Sequence, residues 1–357
     1  MPYKVGIIGN GNRTKAFLKV MQELPDIFNF AGMYFRNSEK AEEFNKIHKG
    51  LGFSNKDEFY KQNFDFVIIA LPRFAVPEAC EEAFKLSIPV LCETPPGKNL
   101  DDLNKIYDLK LKYNAKIQVS EQYFCQAYHS GILKIINEGK LGEISNLEIS
   151  MIHDYHSLSM IRKYLGVGFE NCKVYGNDYA FPVVKTCSRE GLVLDGETAE
   201  VKHRRAVFEF ESGKVAFHNF CSEQYHNYLR TRHFQIQGNR GEIHDYDVNF
   251  LDENNNAINS KIVRSDLGHY SNLDGYANRG LTLNGKYIFK NPYERARLND
   301  DELAIASIME GMGKYASDGE EIYSLEDALQ DTYLYHIMDE AINSHKTLET
   351  STQKWVK

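Results

Sequence analysis

The first 122 residues alternate short apolar segments with amphipathic ones, and this alternation is the feature that most constrains the fold. The segment KVGIIG (4–9) is typical of a short buried strand, and NRTKAFLKVMQELP after it repeats apolar residues at helical spacing. The same pair of patterns recurs as far as KIQVSEQY, which ends at residue 123. Strands that are apolar on both faces and are separated by helices predict a doubly wound parallel sheet.

The pattern changes after residue 122. Segments of alternating polarity follow one another, including RRAVFEFESGKVAFHNFCSEQY, which is typical of a hairpin that turns at Ser212 and Gly213. Helical patterns return in DDELAIASIMEGMGKYA and SLEDALQDTYLYHIMDEAINS, the second with Ser324 as its expected cap. We therefore expect an α/β domain over 1–122 and an α+β domain over 123–357, with a large, mostly antiparallel open sheet and C-terminal helices from about residue 299.

The composition narrows the class of partner. The formal net charge of -8 argues against binding to nucleic acid or to an anionic membrane, since both favour a basic surface. The six cysteines are scattered singly, and no apolar run approaches the ~20 residues of a membrane span. No signal segment is recognised at the N-terminus, so the expected location is the cytoplasm. A small neutral substrate or a protein partner is favoured instead.

A glycine-containing turn lies between the first predicted strand and the first predicted helix. Gly9 permits a tight turn there, and Gly11 allows close approach of the backbone to a phosphate. Asn12 and Arg13 follow at the start of the helix, whose N-terminus favours an anion. Thr14 replaces the third glycine of the GxGxxG pattern, but the position at the head of a βαβ unit favours a Rossmann dinucleotide site.

The end of the second strand bears on the choice of dinucleotide. NAD sites commonly place an acid there to bind the adenosine ribose, whereas this chain has Arg36 and, two residues later, Ser38. Arg36 and Ser38 would suit a 2′-phosphate, and Arg36 would also suit stacking on adenine. The cofactor is therefore expected to be NAD or NADP, and the sequence leaves that choice open.

Four further segments occur in a characteristic order along the chain: DFVIIALP (65–72), PVLCETPPGKNL (89–100), INEGKLGEI (136–144) and HDYHSLSMIRKYLG (153–166). With them, the chain resembles the glucose-fructose oxidoreductase, inositol dehydrogenase and rhizopine-catabolism family (Gfo/Idh/MocA) over nearly its full length. The resemblance implies a Rossmann domain followed by a domain whose open sheet carries the substrate and often forms an oligomer interface. It also implies hydride transfer between a nicotinamide cofactor and a hydroxyl of a sugar or cyclitol.

The resemblance assigns several cofactor-side residues. Leu71 and Pro72 match the segment that flanks the cofactor, and Glu93 matches the glutamate of the family's Glu-Lys-Pro motif. Thr94 stands where that motif has a lysine that commonly assists proton transfer. A threonine hydroxyl is uncharged at neutral pH and cannot act as a cationic acid, so Thr94 is expected only to donate or accept hydrogen bonds.

The resemblance assigns the catalytic histidine to His156, but two family aspartates are replaced by Ser159 and Ile152. His156 is expected to accept the hydroxyl proton, because imidazole titrates near neutral pH. His153 and Asp154 are candidates for a second proton carrier or an orienting group. If this segment is a strand, Asp154 shares a face with His156, and if it is a helix, His153 does. No metal is expected, since a third ligand is not evident.

Four further residues are candidates for the ligand pocket. Gln122 and Tyr123 follow the last strand of the parallel sheet, where ligands of such sheets bind, and would serve nicotinamide and substrate respectively. Arg162 and His226 are polar candidates for substrate binding in the second domain. A helix-surface ion pair is the alternative interpretation of Arg162.

Three hypotheses about function remain. The first is a nicotinamide-dependent oxidoreductase acting on a ring hydroxyl of a sugar or glycoside, with C3 as one candidate position and a separate lyase as a candidate partner. The second is a non-catalytic dinucleotide-binding sensor or scaffold that has lost the lysine and aspartates. The third is an oxidoreductase of an unrelated small carbonyl compound. A homo-oligomer is expected in each case, because an open sheet face favours self-association.

Overall fold

The computed structural model describes residues 1–188, 190–270, 272–273 and 275–356. The chain forms two compact units, each assembled from three stretches of sequence. The first unit comprises Met1–His129, Asp266–Arg279 and Lys290–Leu329, and the second comprises Ser130–Ser265, Gly280–Phe289 and Gln330–Lys357. The division into domains at residues 122 and 123 stays a prediction.

The first unit contains a six-stranded parallel sheet. Its strands are β1 (Tyr3–Ile8), β2 (Phe28–Tyr34), β3 (Gly52–Phe53), β4 (Phe66–Ile69), β5 (Val90–Cys92) and β6 (Ile117–Val119). The spatial order is β3-β2-β1-β4-β5-β6, and all five neighbouring pairs are parallel. This order reverses direction between β1 and β4, which is the classical Rossmann switch point. The predicted doubly wound sheet is confirmed.

Helices connect these strands, and asparagine caps start several of them. The helices are α1 (Asn12–Glu23), α2 (Ser38–His48), α3 (Lys56–Tyr60), α4 (Val76–Lys85) and α5 (Leu100–Tyr113). Asn37, Asn55 and Asn99 accept hydrogen bonds from backbone N–H groups at the starts of α2, α3 and α5. The sequence suggested Ser38 as the cap of α2, but the cap is Asn37. The N-cap of α1 is Gly11, which provides no side-chain cap.

Two long helices follow near the C-terminus, α8 (Asp300–Ala316) and α9 (Leu325–Ser344). Although α8 comes after the strands of the second sheet in the chain, Leu303 and Met309 lie in one buried cluster with Val5 and Ile7 of β1. Burial of such apolar side chains is the main stabilising contribution to this unit. Ser324 caps α9, as predicted, by accepting from the Asp327 N–H at 2.9 Å.

The second unit is built around an eleven-stranded sheet. Its strands are β7 (Ile144–Ser150), β8 (Cys172–Val184), β11 (Thr198–Phe210), β12 (Val215–Cys221), β13 (His233–Gly238), β14 (Gly241–His244), β15 (Asp247–Leu251), β16 (Ala257–Gly268), β17 (Tyr276–Leu283), β18 (Lys286–Lys290) and β19 (Leu348–Glu349). Strands β9 (Cys187–Ser188) and β10 (Gly191–Leu192) form a separate two-stranded sheet. The large sheet has the order β18-β17-β16-β15-β14-β13-β7-β12-β11-β8-β19. Strands β11 and β12 form the predicted hairpin, and β7 pairs with β12 in the parallel sense. The predicted, mostly antiparallel sheet is confirmed.

Two helices near the start of the second unit are α6 (Ala127–Asn137) and α7 (Asp154–Leu165). The segment around His153, for which the sequence allowed either a strand or a helix, is helical: His153 is the N-cap of α7, which ends at Gly166 in a left-handed conformation. No helix within the described ranges has the length and hydropathy to cross a membrane.

Candidate active site

The turn after β1 is shaped to receive a phosphate. Gly9 has φ +122°, and a Cβ there would lie 2.1 Å from the Ala70 carbonyl oxygen, so only glycine fits without strain. A Cβ at Gly11 would meet nothing within 4 Å, which leaves open space beside the backbone. The first turn of α1 has neither a capping side chain nor an acidic residue. Its N–H groups and helix dipole therefore favour an anion.

A cavity of about 420 Å³ lies beyond the carboxyl ends of β1, β2 and β4 in the first unit. Gly9, Arg36, Leu71 and Pro72, all predicted to face the cofactor, line it. Such sheets bind nucleotides at this place, and the volume is within the usual range for a small-molecule pocket. The cavity thus brings together four residues from three separate strand ends.

Arg13, Glu93, Gln122 and Asp301 form a polar network in the first unit, which we call the Arg13 cluster. The Arg13 guanidinium donates to Glu93 Oε1 at 3.2 Å and to Asp301 Oδ2 at 2.9 Å. Gln122 Nε2 donates to Asp301 Oδ1 at 3.0 Å. Burial lowers the pKa of Arg13, but attraction to Glu93 and Asp301 outweighs it and raises the pKa above its ordinary value.

Thr94 adds to this cluster through Glu93. Its backbone N–H donates to Glu93 Oε2 at 3.0 Å, and its hydroxyl lies 3.4 Å from the same oxygen. The Thr94–Pro95 peptide bond is cis. The residue at the motif's lysine position is therefore a hydrogen-bonding partner of the cluster, and it supplies no positive charge.

The side-chain amide of Gln122 bears on whether a dinucleotide fits the Arg13 cluster. Within the described residues, its Oε1 atom is buried and has no hydrogen-bond partner. The orientation of this amide is set by Asp301, because a carboxylate accepts hydrogen bonds and so faces the amide nitrogen. The remaining buried oxygen requires a donor, and the carboxamide N–H₂ of nicotinamide is such a donor. The chemistry of these residues fits the predicted cofactor.

The predicted catalytic residues lie in the second unit at the start of α7. The rings of His153 and His156 have their centroids 5.0 Å apart. The Tyr225 hydroxyl is hydrogen-bonded to Nδ1 of His153, and Phe220 packs 5.7 Å from the His153 ring. Asp154, the first residue of α7, adopts φ +46°. We call His153, His156 and Tyr225 the histidine–tyrosine group.

The electrostatics of this region keep His153 and His218 uncharged. Burial, with a second contribution from His156, lowers the pKa of His153 to about 3. Burial, assisted by Arg204, lowers the pKa of His218 to about 3 as well. His218 lies behind α7, where Ser157 Oγ is 2.8 Å from its Nδ1. His153 is thus neutral at physiological pH and serves as a hydrogen-bonding group rather than a cation.

Residues 3–121 match the model of a family described as an oxidoreductase family with an NAD-binding Rossmann fold, GFO_IDH_MocA. Over these residues the chain is similar to the Gfo/Idh/MocA oxidoreductase family. The match confirms the resemblance and the predicted cofactor class, NAD or NADP.

Part of the chain is similar in sequence to the Uncharacterized protein YMR315W of Saccharomyces cerevisiae. It is 29% identical over 127 residues, which cover 34% of this chain and 36% of that protein. The match therefore spans little more than a third of the relative's length.

Solved structures share the fold of this chain over almost its full length. An oxidoreductase from Agrobacterium radiobacter, crystallised with NAD+, L-tartaric acid and magnesium, has a TM-score of 0.68 at 15% identity and covers 98% of each chain. The myo-inositol 2-dehydrogenase of Lactobacillus plantarum has a TM-score of 0.66 at 14% identity, covering 98% of this chain and 100% of its own. At these identities the likeness shows the fold alone.

The predicted substrate residues fall in different surroundings. Arg162 is buried and donates to Asp331 at 2.7 Å and to the Gly168 carbonyl at 2.7 Å, which accounts for it as a structural residue of the second unit. His226 is exposed, and Tyr123 donates its backbone N–H to Glu121 at 3.1 Å. Among the described residues, no group of three or more histidine, cysteine, aspartate or glutamate side chains is placed to hold a metal ion.

Two residues of the candidate site were missed by sequence reasoning. Asp301 anchors the Arg13 cluster from α8, and no motif marked it. Tyr225 lies in a short 3-10 turn after β12, in a segment where the sequence predicted only alternation between faces. The sequence offered only one indication for Tyr225, namely that it is a polar aromatic residue close to histidines in a polar-rich segment. Only its pairing with His153 distinguishes it from neighbouring tyrosines.

Proposed function

We propose that this protein is a nicotinamide-dependent dehydrogenase that transfers hydride between NAD(P) and a ring hydroxyl of a sugar or glycoside. The observation that carries the proposal is the histidine–tyrosine group, in which the buried His156 ring lies beside a partly buried His153 that is bonded to a phenol, because a scaffold protein would have no need of such a group. Two proteins of similar fold, the oxidoreductase crystallised with L-tartaric acid and the myo-inositol 2-dehydrogenase, support a polyhydroxylated substrate.

The first unit binds and orients the dinucleotide in this proposal. The N-terminus of α1 and the glycine turn hold the pyrophosphate, while Leu71 and Pro72 flank the adenosine end of the cavity. Gln122 accepts from the carboxamide of the nicotinamide, and Asp301 keeps the Gln122 amide in the orientation that allows this. The bound cofactor supplies the chemistry of hydride acceptance and donation.

His156 handles the proton. Oxidation of a secondary alcohol breaks the C–H bond, whose electron pair leaves with the hydride, and the O–H bond, whose proton passes to the His156 imidazole. A carbonyl forms as the electron pair of the O–H bond moves to the C–O bond. In the reverse direction His156 returns the proton. Ser159 stands one turn along α7, and its hydroxyl donates to the His156 carbonyl at 3.0 Å, so it stabilises the backbone there.

The Tyr225–His153 pair compensates for the absent motif lysine. The Tyr225 hydroxyl is hydrogen-bonded to Nδ1 of His153 and thereby fixes the orientation of that ring. A neutral His153 beside His156 adds no positive charge that would oppose transfer of the hydroxyl proton to His156. Positioning by hydrogen bonds thus takes over part of the work that a cationic lysine performs in relatives.

The surroundings of the two histidines suit a sugar. The Tyr155 ring packs at a tilt against His156, with centroids 4.4 Å apart, and the Phe220 and Tyr225 rings lie 5.3 Å apart beside His153. Aromatic walls with a few polar groups are typical of sites for small ligands with apolar faces and hydroxyl edges. Oxidation at C3, cleavage by a partner lyase and homo-oligomer formation stay predictions within this proposal.

The test combines binding with turnover. Purified protein is titrated with reduced nicotinamide dinucleotide by fluorescence, and reduction of the oxidised cofactor is then followed with a panel of sugars, cyclitols and glycosides. We expect turnover with a member of the panel, and His156→Asn to lower kcat by about 100-fold or more while dinucleotide affinity is unchanged. The matched control is His244→Asn, because His244 is an exposed histidine of the same unit.

The possible outcomes separate the hypotheses. Dinucleotide binding without turnover on any panel member would support the non-catalytic scaffold. Turnover that is equal in wild type and His156→Asn would remove His156 from the reaction. Absence of dinucleotide binding would overturn the whole proposal.

A further inference from the structure

The cavity beyond β2 contains an unusual balance of charged side chains. Arg36, Lys40 and Lys56 line it from the β2–α2 region and from α3, and Glu78 and Glu82 line it from α4. These five residues are the charged lining of the cavity within the described part of the chain. The question is which of these charges are available to a ligand.

Ion pairs neutralise the acidic wall and one of the cations. Lys56 Nζ lies 2.6 Å from Glu82, and Lys105 Nζ, which lies outside the cavity, is 2.6 Å from Glu78. In contrast, neither Arg36 nor Lys40 has a side-chain ion pair among the described residues. Both side chains are exposed. Two cations on the β2 side of the cavity are therefore open to a ligand anion.

The same region lacks the acceptor that an unphosphorylated ribose requires. The residue that directly follows β2 is Phe35, which is buried in the core and presents no polar group. Asn37 Oδ1 is already occupied, since it accepts from the N–H groups of Glu39 and Lys40. Without a carboxylate to accept from the two ribose hydroxyls, the site has lost the usual basis for binding NAD at this position.

Donor groups take the place of that acceptor. The Arg36 guanidinium presents a planar set of N–H donors that matches the oxygens of a phosphate, and Lys40 lies one helical turn further on α2, where it adds a second positive charge. The Ser38 hydroxyl, between them in sequence, is a third donor at the exposed start of α2. These groups suit a dianionic phosphate monoester on the ribose.

We infer that the cofactor of this protein carries a 2′-phosphate, and that Arg36 with Lys40 makes the protein specific for NADP(H) over NAD(H). This inference rests on the proposed function, in that the cavity must hold the adenosine end of a nicotinamide dinucleotide. It assigns a phosphate subsite to a position that the amino-acid sequence left open.

Equilibrium binding tests the inference without any need for a substrate. NADPH and NADH are titrated separately by fluorescence, and 2′,5′-ADP and 5′-AMP are compared by calorimetry. We expect the phosphorylated member of each pair to bind about tenfold or more tightly, with an advantage that shrinks as salt is raised. Arg36→Ala should remove about tenfold or more of the NADPH affinity and leave the NADH affinity within about twofold.

Matched variants distinguish a direct contact with the 2′-phosphate from an indirect effect on dinucleotide binding. Lys40→Ala should weaken NADPH binding in the same selective way but less strongly, and Lys46→Ala, an exposed lysine near the end of the same helix that does not line the cavity, should leave both affinities unchanged. Equal or tighter binding of NADH, or an equal effect of Arg36→Ala on both dinucleotides, would overturn the 2′-phosphate subsite while the proposed function stands. Failure of both dinucleotides to bind would overturn the proposed function itself.

Discussion

The Arg13 guanidinium lies 2.9 Å from the Asp301 carboxylate, although the two residues are 288 positions apart in sequence. The contact joins the first turn of α1, where a pyrophosphate would rest, to the first turn of α8. It also sets the orientation of Gln122, because Asp301 accepts from Arg13 with one oxygen and from Gln122 with the other. The nicotinamide end of the proposed cofactor site therefore depends on a helix that the N-terminal sequence does not contain.

Asp301→Asn should weaken dinucleotide binding. The change removes the ion pair with Arg13 and lets the Gln122 amide turn over, since an asparagine can donate as well as accept. We expect a loss of affinity of about tenfold, equivalent to ~1.4 kcal/mol, in a fluorescence titration with the reduced cofactor. Asp300→Asn is the control, because it removes the same charge from the same helix turn. An equal loss in both variants would assign the effect to the helix dipole and not to the cluster.

Gly9→Ala should destabilise the first unit. Its φ of +122° and the 2.1 Å approach to the Ala70 carbonyl leave no room for a methyl group. A cost of ~1–3 kcal/mol in the free energy of unfolding is expected, measured by urea denaturation. Gly11→Ala, in open space with φ −74°, should change stability by less than ~1 kcal/mol but should still lower dinucleotide affinity by crowding the phosphate. A Gly9→Ala variant as stable as wild type would contradict the tight turn.

Tyr225→Phe should slow turnover while KM stays nearly constant. The phenylalanine keeps the packing on Phe220 but removes the hydroxyl bonded to His153. We expect kcat to fall by about tenfold or more and the pH profile of kcat to shift, because the proton on His153 is no longer held in one position. Tyr228→Phe, at an exposed tyrosine of the same segment, is the control. An unchanged pH profile in Tyr225→Phe would leave the tyrosine with a packing role only.

The stability of the second unit should decrease on acidification. The pKa of His218 falls from its ordinary value of 6.5 to about 3 on folding, chiefly through burial, so the unfolded chain binds a proton that the folded chain excludes between these values. The contribution of neutral His218 to the free energy of unfolding is fully present above about pH 6.5 and is lost as the pH falls, with a slope of ~1.4 kcal/mol per pH unit. The pKa of His153, also about 3, adds a second contribution of the same sign.

Trp355 provides the measurement for this dependence. It is the single tryptophan of the chain and is buried in the second unit, where it donates to Gln330 at 3.0 Å. Its fluorescence during urea denaturation gives the free energy of unfolding, which is measured between about pH 6 and about pH 4. The slope of this free energy against pH should be lower by ~1.4 kcal/mol per pH unit in His218→Gln than in wild type. The exposed His244→Gln serves as the reference. An identical slope in His218→Gln and wild type would show that His218 does not cause the acid sensitivity.

Arg162→Met should unfold the second unit more easily without affecting substrate binding in the folded protein. Arg162 and Asp331 are 5% and 4% exposed, so the single change leaves a buried carboxylate unpaired, at a cost of ~3–5 kcal/mol. Arg162→Met combined with Asp331→Leu should recover most of that stability. A raised KM in the stable double variant would instead return Arg162 to the substrate site.

The arrangement of the first sheet and its phosphate turn followed from local patterns. Apolar strands alternating with helices predicted a parallel sheet, and the glycines at its first turn predicted the phosphate site. Both depend on residues that are close in sequence, where periodicity and backbone conformation are directly readable. The resemblance to the Gfo/Idh/MocA family singled out His156, with His153 as its neighbour, and the sequence left two backbone forms open for them.

Long-range contacts were beyond that reasoning. The assignment of α8 to the first unit, the Asp301 partner of Arg13 and the Tyr225 partner of His153 all join segments far apart in the chain. Arg162 became a structural residue for the same reason, since Asp331 lies 169 residues away. No spacing rule connects such pairs, because their distance is set by how helices and strands pack.

The amino-acid sequence by itself determined the type of the first sheet, the turn that suits a pyrophosphate and the absence of an acid after β2. Only the tertiary structure decided that Arg36 and Lys40 keep their charges available while Lys56 does not, since this depends on which carboxylates lie opposite each cation. It also decided that the Tyr225 phenol is bonded to His153, next to the proposed catalytic His156. Hydrophobic burial fixes the packing of the elements, and that packing determines which polar groups meet.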